Sequence, residues 1–411
     1  MYDYEFGDKK MDEKVYSSEI ECGIKSAVEN FETMLREQVE RNQRMRAERE
    51  EKDSAKKTGN PSSNSNRDKV IIGTAAGDGI GPIIMTEAEK VLKAVLRDRL
   101  TSGSLVLKPI EGFTLENRLA AGKTVPDSVM AAMSECDVLL KGPTTTPNAA
   151  MNTANIESAN VYLRKSFDLF ANVRPVAIPE EGIDWTFFRE NTEGEYALGS
   201  KGEYIMGELA VDFKVTTDEG TERIARAAYE YARANGKKRV SIVTKANIMK
   251  KTDGNFLNIC REVAKEYPEI ETDSWFIDIM AANLVNKDIR SNFQVFVLPN
   301  LYGDIITDEA AQIQGGVGTA GSANIGRNYA IFEAIHGSAP RMIEDGLGEY
   351  ANPSSLLKAA VMMLSHVGYR DESKRLEEAL ELADKELGPR MTGMAGGATC
   401  REYAELVMSR L

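Results

Sequence analysis

Residues 70–82 read VIIGTAAGDGIGP, and this stretch decides the fold. Its first residues are β-branched and apolar, as in a buried strand, and three glycines follow at 77, 79 and 81. Pro82 falls where the first turn of a following helix would lie, a position that tolerates proline. The stretch therefore predicts a strand, a glycine turn and a helix start, which is a common opening unit of an α/β fold.

The spacing of the three glycines bears on what the turn can bind. A dinucleotide-binding turn reads G-x-G-x-x-G, and an acidic residue ends the second strand about 20 residues later. Here the glycines run G-x-G-x-G, and no acidic residue ends a second strand at that distance. The fingerprint is weak, and a sharp structural turn at the end of the strand explains the glycines equally well.

Short apolar runs alternate with helical patterns from Lys69 onward. The runs lie at residues 70–72, 138–140, 240–243 and 295–298, and the helical patterns at 83–100, 222–235, 256–266 and 354–367. This alternation predicts an α/β fold class for the whole region.

Residues 1–68 differ from this pattern. Apolar residues recur every three or four positions over 19–52, which predicts one amphipathic helix, and the polar residues 53–68 (DSAKKTGNPSSNSNRD) predict a linker. We favour a solubilising or docked extension over an arm for self-association or partner binding. The linker also predicts that deletion of residues 1–66 leaves folding and activity largely intact.

The composition argues against several classes of function. The chain has 411 residues and a net charge of −13, which disfavours nucleic acid as a main partner. No apolar run reaches the length of a membrane span, and the acidic first residues have no signal-peptide pattern. The four cysteines form no CxxC pair, which predicts reduced thiols in a cytoplasmic protein.

Only two histidines are present, so the chemistry must depend on Asp, Tyr, Lys and Arg. Asp304 and Asp308 are four residues apart on a predicted helix, so both carboxylates project from one face. Two such carboxylates after a strand suit Mg²⁺ or Mn²⁺, and a solvated helix face explains them equally well. Asp278 lies among apolar residues, where a carboxylate needs a cation or a proton partner.

Three arginines, Arg164, Arg174 and Arg189, lie within 26 residues of sequence. Guanidinium groups bind carboxylates through paired hydrogen bonds, so a pocket with three of them suits a di- or tricarboxylate, although each alone could form a surface ion pair. Lys245 follows a predicted strand, and Tyr196 ends the run RENTEGEY. A nearby ammonium lowers a tyrosine pKa, so the two could form a proton-transfer pair.

Several motifs in order resemble the isocitrate and isopropylmalate dehydrogenase family of β-decarboxylating dehydrogenases. They are GDGIGP (77–82), KGPTTTP (141–147), S-x-N-xxx-R (158–164), RENTEGEY (189–196), TKANIMK (244–250), NLYGDIITDEAA (300–311), HGSAP (336–340) and ANPSS (351–355). The resemblance runs from about residue 70 to the C-terminus and leaves the 68-residue extension outside it.

The resemblance implies the family's α/β fold, which is not a standard Rossmann domain. It implies a large domain on the cofactor side (residues 69–169 and 316–411), a small domain (170–315) and a dimer clasp near 194–218. It also implies isocitrate as substrate, because Ser158 and Asn160 precede Arg164 where isopropylmalate enzymes carry apolar residues. Homoisocitrate or 3-isopropylmalate oxidation is the nearer alternative, and a non-catalytic regulatory subunit of a heteromeric dehydrogenase is a more distant one.

The implied reaction is metal-dependent oxidation of isocitrate by NAD or NADP, with loss of CO₂ and formation of 2-oxoglutarate. By resemblance, the substrate carboxylates bind Ser158, Asn160, Arg164, Arg174 and Arg189. Mg²⁺ or Mn²⁺ binds Asp278, Asp304 and Asp308. Lys245 or Asp278 removes the hydroxyl proton, and Tyr196 protonates the product enolate. In the family, Lys245 and Asp278 complete the pocket of the other subunit, which implies a homodimer with shared active sites.

The resemblance places the cofactor across two loops. Its nicotinamide end is expected at Thr145 and Thr146, before a stretch up to Ser158 that is longer than in common bacterial relatives. The adenosine end is expected at His336, Gly337, Ser338, Ala339, Arg341 and Asn352. Arg341 suits the 2′-phosphate of NADP, whereas Glu344, Asp345 or Glu349 could bind the ribose diol of NAD, so both cofactors stay open.

Overall fold

The structure is a computed structural model, and it describes residues 13–57, 69–147, 156–198, 202–205, 209–316, 318 and 320–411. Most of the predicted linker, part of the stretch between Thr146 and Ser158, and parts of the predicted clasp lie outside these residues.

One ten-stranded sheet runs through the described body of the molecule, in the order β2-β1-β3-β12-β11-β4-β5-β10-β8-β9. Its strands are β1 (Val70–Ala75), β2 (Leu105–Pro109), β3 (Val138–Lys141), β4 (Ala171–Ile178), β5 (Ile183–Glu190), β8 (Arg239–Thr244), β9 (Glu271–Phe276), β10 (Val295–Leu298), β11 (Gly321–Ile325) and β12 (Ala330–Ala334). The pairs β12–β11, β11–β4 and β4–β5 are antiparallel and the others are parallel. Strands β6 (Glu203–Ile205) and β7 (Leu209–Val211) form a separate antiparallel hairpin.

Helices cover this sheet, so strands such as β10 are buried on both faces, as is usual for parallel sheets. The helices are α1 (Glu13–Lys57), α2 (Gly81–Val95), α3 (Arg97–Ser102), α4 (Leu115–Ala120), α5 (Asp127–Ser134), α6 (Ala159–Ser166), α7 (Asp218–Ala234), α8 (Thr252–Ala264), α9 (Ile277–Val285), α10 (Asn300–Gln314), α11 (Pro340–Glu344), α12 (Ser354–His366), α13 (Arg370–Leu387) and α14 (Cys400–Arg410). The predicted α/β class is confirmed, and the division into large and small domains stays a prediction.

The glycine turn after β1 is a packing point for two other loops. Gly77 and Gly79 have positive φ angles, and a Cβ on Gly79 would collide with the carbonyl oxygen of Ser338. The carboxylate of Asp78, between them, accepts hydrogen bonds from the backbone N–H groups of Leu115 (2.6 Å) and Thr145 (2.8 Å). The turn therefore fixes the loops after β3 and β12, which supports the structural explanation of its glycines.

The predicted N-terminal helix is present as α1, but it is longer than residues 19–52 at both ends, since it runs from Glu13 to Lys57. Residues 53–57 are therefore helical, and the predicted linker start at residue 53 is wrong. Met34 and Met45 are buried where α1 packs on the rest of the chain, which makes α1 a docked extension. Ile24, Val28, Leu35 and Val39 stay exposed, and self-association through α1 stays a prediction.

All four cysteines are free, with Cys22 exposed and the other three buried. Among the described residues, no helix has both the length and the apolar character that crossing a bilayer requires.

Candidate active site

A cavity of about 280 Å³ lies where α6, α10, β4 and β5 meet the loops after β3 and β12. Ten of the residues predicted from the sequence line it: Ser158, Asn160, Arg164, Arg174, Arg189, Tyr196, Asp304, Asp308, His336 and Gly337. The structure thus brings together all five predicted substrate-binding residues, one predicted catalytic residue and two predicted metal ligands.

Strand pairing places two of the arginines side by side. Arg174 lies on β4 and Arg189 on β5, and in the antiparallel register Asn172 is opposite Arg189 while Arg174 is opposite Phe187. Residues two apart on a strand share a face, so both guanidiniums project to the same side of the sheet. Arg164, in the last turn of α6, reaches the same cavity.

The two aspartates of α10 face these arginines. Arg189 hydrogen-bonds the carboxylate of Asp304, and Arg174 Nη1 lies 2.8 Å from Asp308 Oδ1. Burial and the nearby guanidinium of Arg164 lower the pKa of Arg189 to about 9. The lining carries four cations, since Lys141 joins the three arginines, against the three carboxylates of Asp304, Asp308 and Glu333. The cavity therefore has an excess of positive charge and favours an anionic ligand.

Tyr196 donates a hydrogen bond of 2.6 Å to Asp304 Oδ2. Burial raises the pKa of Tyr196, and the hydrogen bond to this carboxylate raises it further. The phenol therefore stays protonated at neutral pH and can act as a proton donor.

The predicted Tyr196–Lys245 pair does not form within one chain. Lys245 Nζ instead lies 2.6 Å from Asp278 Oδ1, and this pair is outside the lining of the cavity. The hydrogen bond from Lys245 lowers the pKa of Asp278. Asp278 thus has the cation partner that its sequence context predicted, although its side chain is exposed instead of buried.

Asp304 and Asp308 carry oxygen ligands of the kind that a divalent cation prefers, and their metal role stays a prediction. They lie one turn apart on α10 and both line the cavity. Burial alone would raise the pKa of Asp304, but Arg189 and the hydroxyl of Tyr196 outweigh it and lower the pKa, so the carboxylate is ionised. Within the described part of the chain no three His, Cys, Asp or Glu side chains form a metal cluster, so Asp278 is not a third ligand in the same chain.

Two residues of the cavity were missed from the sequence, Lys141 and Glu333. Lys141 Nζ lies 2.8 Å from Glu333 Oε2, and Arg164 Nη2 lies 3.7 Å from Glu333 Oε1. Glu333 also accepts a 2.6 Å hydrogen bond from Asn324. A charged residue within a buried apolar strand, as in VLLK and AIFEA, was the available signal.

We predict that Glu333→Gln destabilises the protein most at neutral pH. Burial would raise the pKa of Glu333, but Lys141 and Arg164 outweigh it and lower the pKa to about 2, below its ordinary 4.5. Such a carboxylate stabilises the folded state above pH 4.5, and this stabilisation is lost as the pH falls toward 2. The difference in unfolding free energy between wild type and variant should therefore narrow by roughly 1 kcal/mol between about pH 7 and about pH 3.5. Urea unfolding at several pH values measures it, and a difference independent of pH would contradict the pairing.

The predicted cofactor residues lie on the loops after β3 and β12. The hydroxyl oxygens of Thr145 and Ser338 are 2.7 Å apart, which joins the two loops. Burial lowers the pKa of His336, so its imidazole is neutral at pH 7.

The other predicted cofactor residues are mostly at the surface. Thr146 and Arg341 are exposed, as are Glu344, Asp345 and Glu349. Ala339 caps α11, and Asn352 accepts a hydrogen bond from Ser354 N–H. The cofactor roles of all the predicted residues on these two loops stay a prediction.

A family model described as isocitrate/isopropylmalate dehydrogenase matches residues 71–407. The mitochondrial NAD isocitrate dehydrogenase subunit 2 of Schizosaccharomyces pombe is 38% identical over 343 residues, which cover 82% of this chain and 86% of that protein. The 3-isopropylmalate dehydrogenase of Archaeoglobus fulgidus is 39% identical over 342 residues, 82% of this chain and 97% of that protein. The crystal structure of isocitrate dehydrogenase from Methylococcus capsulatus superimposes with a TM-score of 0.72 at 35% identity, covering 83% of this chain and 99% of that one.

The cavity, lined by three arginines, thus has the character of a binding site for small anionic acids. The chain belongs to the isocitrate/isopropylmalate dehydrogenase family. Relatives that act on different acids match it about equally well, so similarity alone does not choose the substrate.

Proposed function

We propose that this protein oxidises isocitrate and releases CO₂ and 2-oxoglutarate, with NAD or NADP as hydride acceptor and Mg²⁺ or Mn²⁺ as metal. The supporting observation is the convergence of Arg164, Arg174 and Arg189 in one cavity with Tyr196 and two aspartates. Three guanidiniums match the three carboxylates of isocitrate.

The lining beside Arg164 favours isocitrate over 3-isopropylmalate. Ser158 and Asn160 bring polar atoms to the cavity, and the hydroxyl of Thr144 donates to Asn160 Oδ1 at 3.1 Å. An isopropyl group buried there would leave polar atoms without partners, whereas a carboxylate can accept hydrogen bonds from them.

We predict that kcat/KM for isocitrate exceeds that for 3-isopropylmalate by at least about 10²-fold, because a site built for hydrogen bonding rejects a substrate that lacks the partner. Homoisocitrate keeps the carboxylate and adds one methylene, so kcat/KM for it should be lower by about 10-fold or more. Initial rates with each acid, Mn²⁺ and either NAD or NADP measure this difference. The same assay decides the cofactor, for which exposed Arg341 and its acidic neighbours favour opposite choices. A preference for 3-isopropylmalate would refute the substrate assignment.

In the proposed reaction, each group of the chain has a role that its environment supports. The arginines bind and orient the carboxylates, and protonated Tyr196 donates a proton to the product carbon. Asp304 and Asp308 would hold the metal, which as a Lewis acid supplies stabilisation of negative charge on the substrate oxygen. Lys245 or Asp278 would remove the hydroxyl proton, and Asp278 would also contribute to metal binding.

A second copy of the chain would have to supply Lys245 and Asp278, because both lie outside the cavity of their own chain. Their surroundings suit an interface. Large apolar side chains are exposed around them, namely Ile248, Met249, Phe276 and Ile279. Such a patch is typical of a protein–protein contact.

A second observation also favours a partner. The hairpin β6–β7 is separate from the main sheet, has unpaired edges and is short for independent stability. We therefore propose a homodimer with shared active sites.

A further inference from the structure

Helix α1 lies against the part of the chain that carries Arg189 and Tyr196. Phe31 stacks on Phe213, with ring centroids 5.1 Å apart, and Met34 and Met45 are 2% and 5% exposed. A Cβ on Gly23 would press on the side chain of Ile205, so the helix comes close to the hairpin β6–β7. Apolar contacts therefore hold α1 against the chain at separate points between Gly23 and Met45.

Three arginines of α1 face three glutamates of the catalytic body. Arg41 Nη1 lies 2.8 Å from Glu193 Oε1, and Arg49 Nη2 lies 3.2 Å from Glu219 Oε1. Arg46 also reaches Glu219, and Arg49 also pairs with Glu222. Glu193 and Glu219 are 1% and 3% exposed. Buried carboxylates need cation or hydrogen-bond partners, and the arginines of α1 supply the cations for Glu193 and Glu219.

Arg41 makes the contact nearest to the active site. Its Nη2 donates a 2.9 Å hydrogen bond to Thr192 Oγ1, while Nη1 binds Glu193. Both partners belong to the turn 191–195, which directly joins Arg189 on β5 to Tyr196. The guanidinium therefore holds the turn at two adjacent residues.

Hydrogen bonds continue from this turn to the substrate arginine. The carbonyl oxygen of Glu193 accepts a 2.9 Å hydrogen bond from Asn300 Nδ2. Asn300 Oδ1 in turn accepts hydrogen bonds from Arg189 Nε (3.0 Å) and Nη2 (2.6 Å). A shift of the turn would thus move both Arg189 and Tyr196.

We propose that Arg41 is a positioning residue for the dehydrogenase reaction, and that α1 is an integral part of the active-site scaffold. This inference rests on the proposed function. It replaces the expectation, drawn from the linker, that deletion of residues 1–66 leaves activity largely intact. Without α1 the turn 191–195 loses the guanidinium that joins Thr192 to Glu193 and keeps only the contact from Arg223 to Thr192. Glu193 and Glu219 lose their α1 arginines, and Glu222 keeps only Arg226.

The test compares Arg41→Ala, Arg41→Lys and Arg36→Ala. Arg36 pairs only with Glu32 on the exposed side of α1 among the contacts described, so it serves as a matched control. We expect Arg41→Ala to lower kcat by about 10- to 100-fold, because misplacement of reacting groups is costly. Arg41→Lys keeps the positive charge but cannot contact Thr192 and Glu193 together, so its decrease in kcat should be smaller than that of Arg41→Ala. Arg36→Ala should have the wild-type kcat.

The solvent deuterium isotope effect on kcat separates positioning from loss of folded protein. Slower proton donation by a misplaced Tyr196 should increase that effect in Arg41→Ala, whereas partial unfolding would lower kcat without changing the isotope effect.

If Arg41→Ala does not fold, Arg41→Gln takes its place with the same expected result. A wild-type kcat and isotope effect in a folded variant would overturn the inference. A wild-type chain that oxidises none of the three acids would instead refute the proposed function, and this inference with it.

Discussion

Replacing Tyr196 by phenylalanine should leave isocitrate and Mn²⁺ binding intact and slow turnover by about 10²–10⁴-fold, the usual effect of removing a general acid. The substitution removes only the hydroxyl that donates to Asp304, and the three arginines of the cavity remain. Binding is measured by calorimetry and turnover by initial rates. The loss should appear in kcat and not in the dissociation constants.

Tyr267→Phe is the matched control for this variant. Its hydroxyl also donates to a carboxylate, Glu230 Oε1 at 2.7 Å, but it is outside the lining of the cavity. We expect this variant to keep the wild-type kcat. An unchanged kcat in Tyr196→Phe would remove Tyr196 from the mechanism.

Mixing two inactive variants should restore activity if the active sites are shared. Asp304→Asn damages the cavity of its own chain, and Lys245→Ala damages the group that we propose to act in the partner's cavity. Each homodimer should lose at least about 10²-fold in kcat. Random exchange makes half of the dimers mixed, and each mixed dimer has one intact site of two, so activity should recover to about a quarter of wild type.

A mixture of Asp304→Asn with Asp308→Asn controls for this experiment. Both changes damage the same cavity lining, so no mixed dimer has an intact site and activity should not return. Recovery in this control, or no recovery with Lys245→Ala after confirmed subunit exchange, would contradict the shared site.

Much of the site could be predicted because its residues lie at the ends of recognisable elements. The strand at 295–298 followed by Asp304 and Asp308 has a local pattern that places both carboxylates on one face of α10, as observed. The three arginines stood out as a carboxylate pocket in the sequence itself, and the motif resemblance added substrate roles for Ser158 and Asn160; all five line the cavity. These features depend on periodicity over a few residues or on motifs in order.

Contacts between distant segments could not be predicted in the same way. Lys141 and Glu333 meet because β3 and β12 are neighbours in the sheet, a pairing that no local pattern reveals. Arg41 and Glu193 are 152 residues apart, and the apolar pattern of α1 indicated a helix but not the surface that it covers. The ion pair between Lys245 and Asp278 was also not predicted, since it depends on the adjacency of β8 and β9.

The most direct test of this account is a crystal structure of the protein with Mn²⁺ and isocitrate, in which anomalous scattering locates the metal. The account predicts one Mn²⁺ per cavity, bound by Asp304 and Asp308 of one subunit and by Asp278 of a second, with the substrate carboxylates on Arg164, Arg174 and Arg189. A metal bound elsewhere, or a cavity in which these aspartates share no ion, would contradict it.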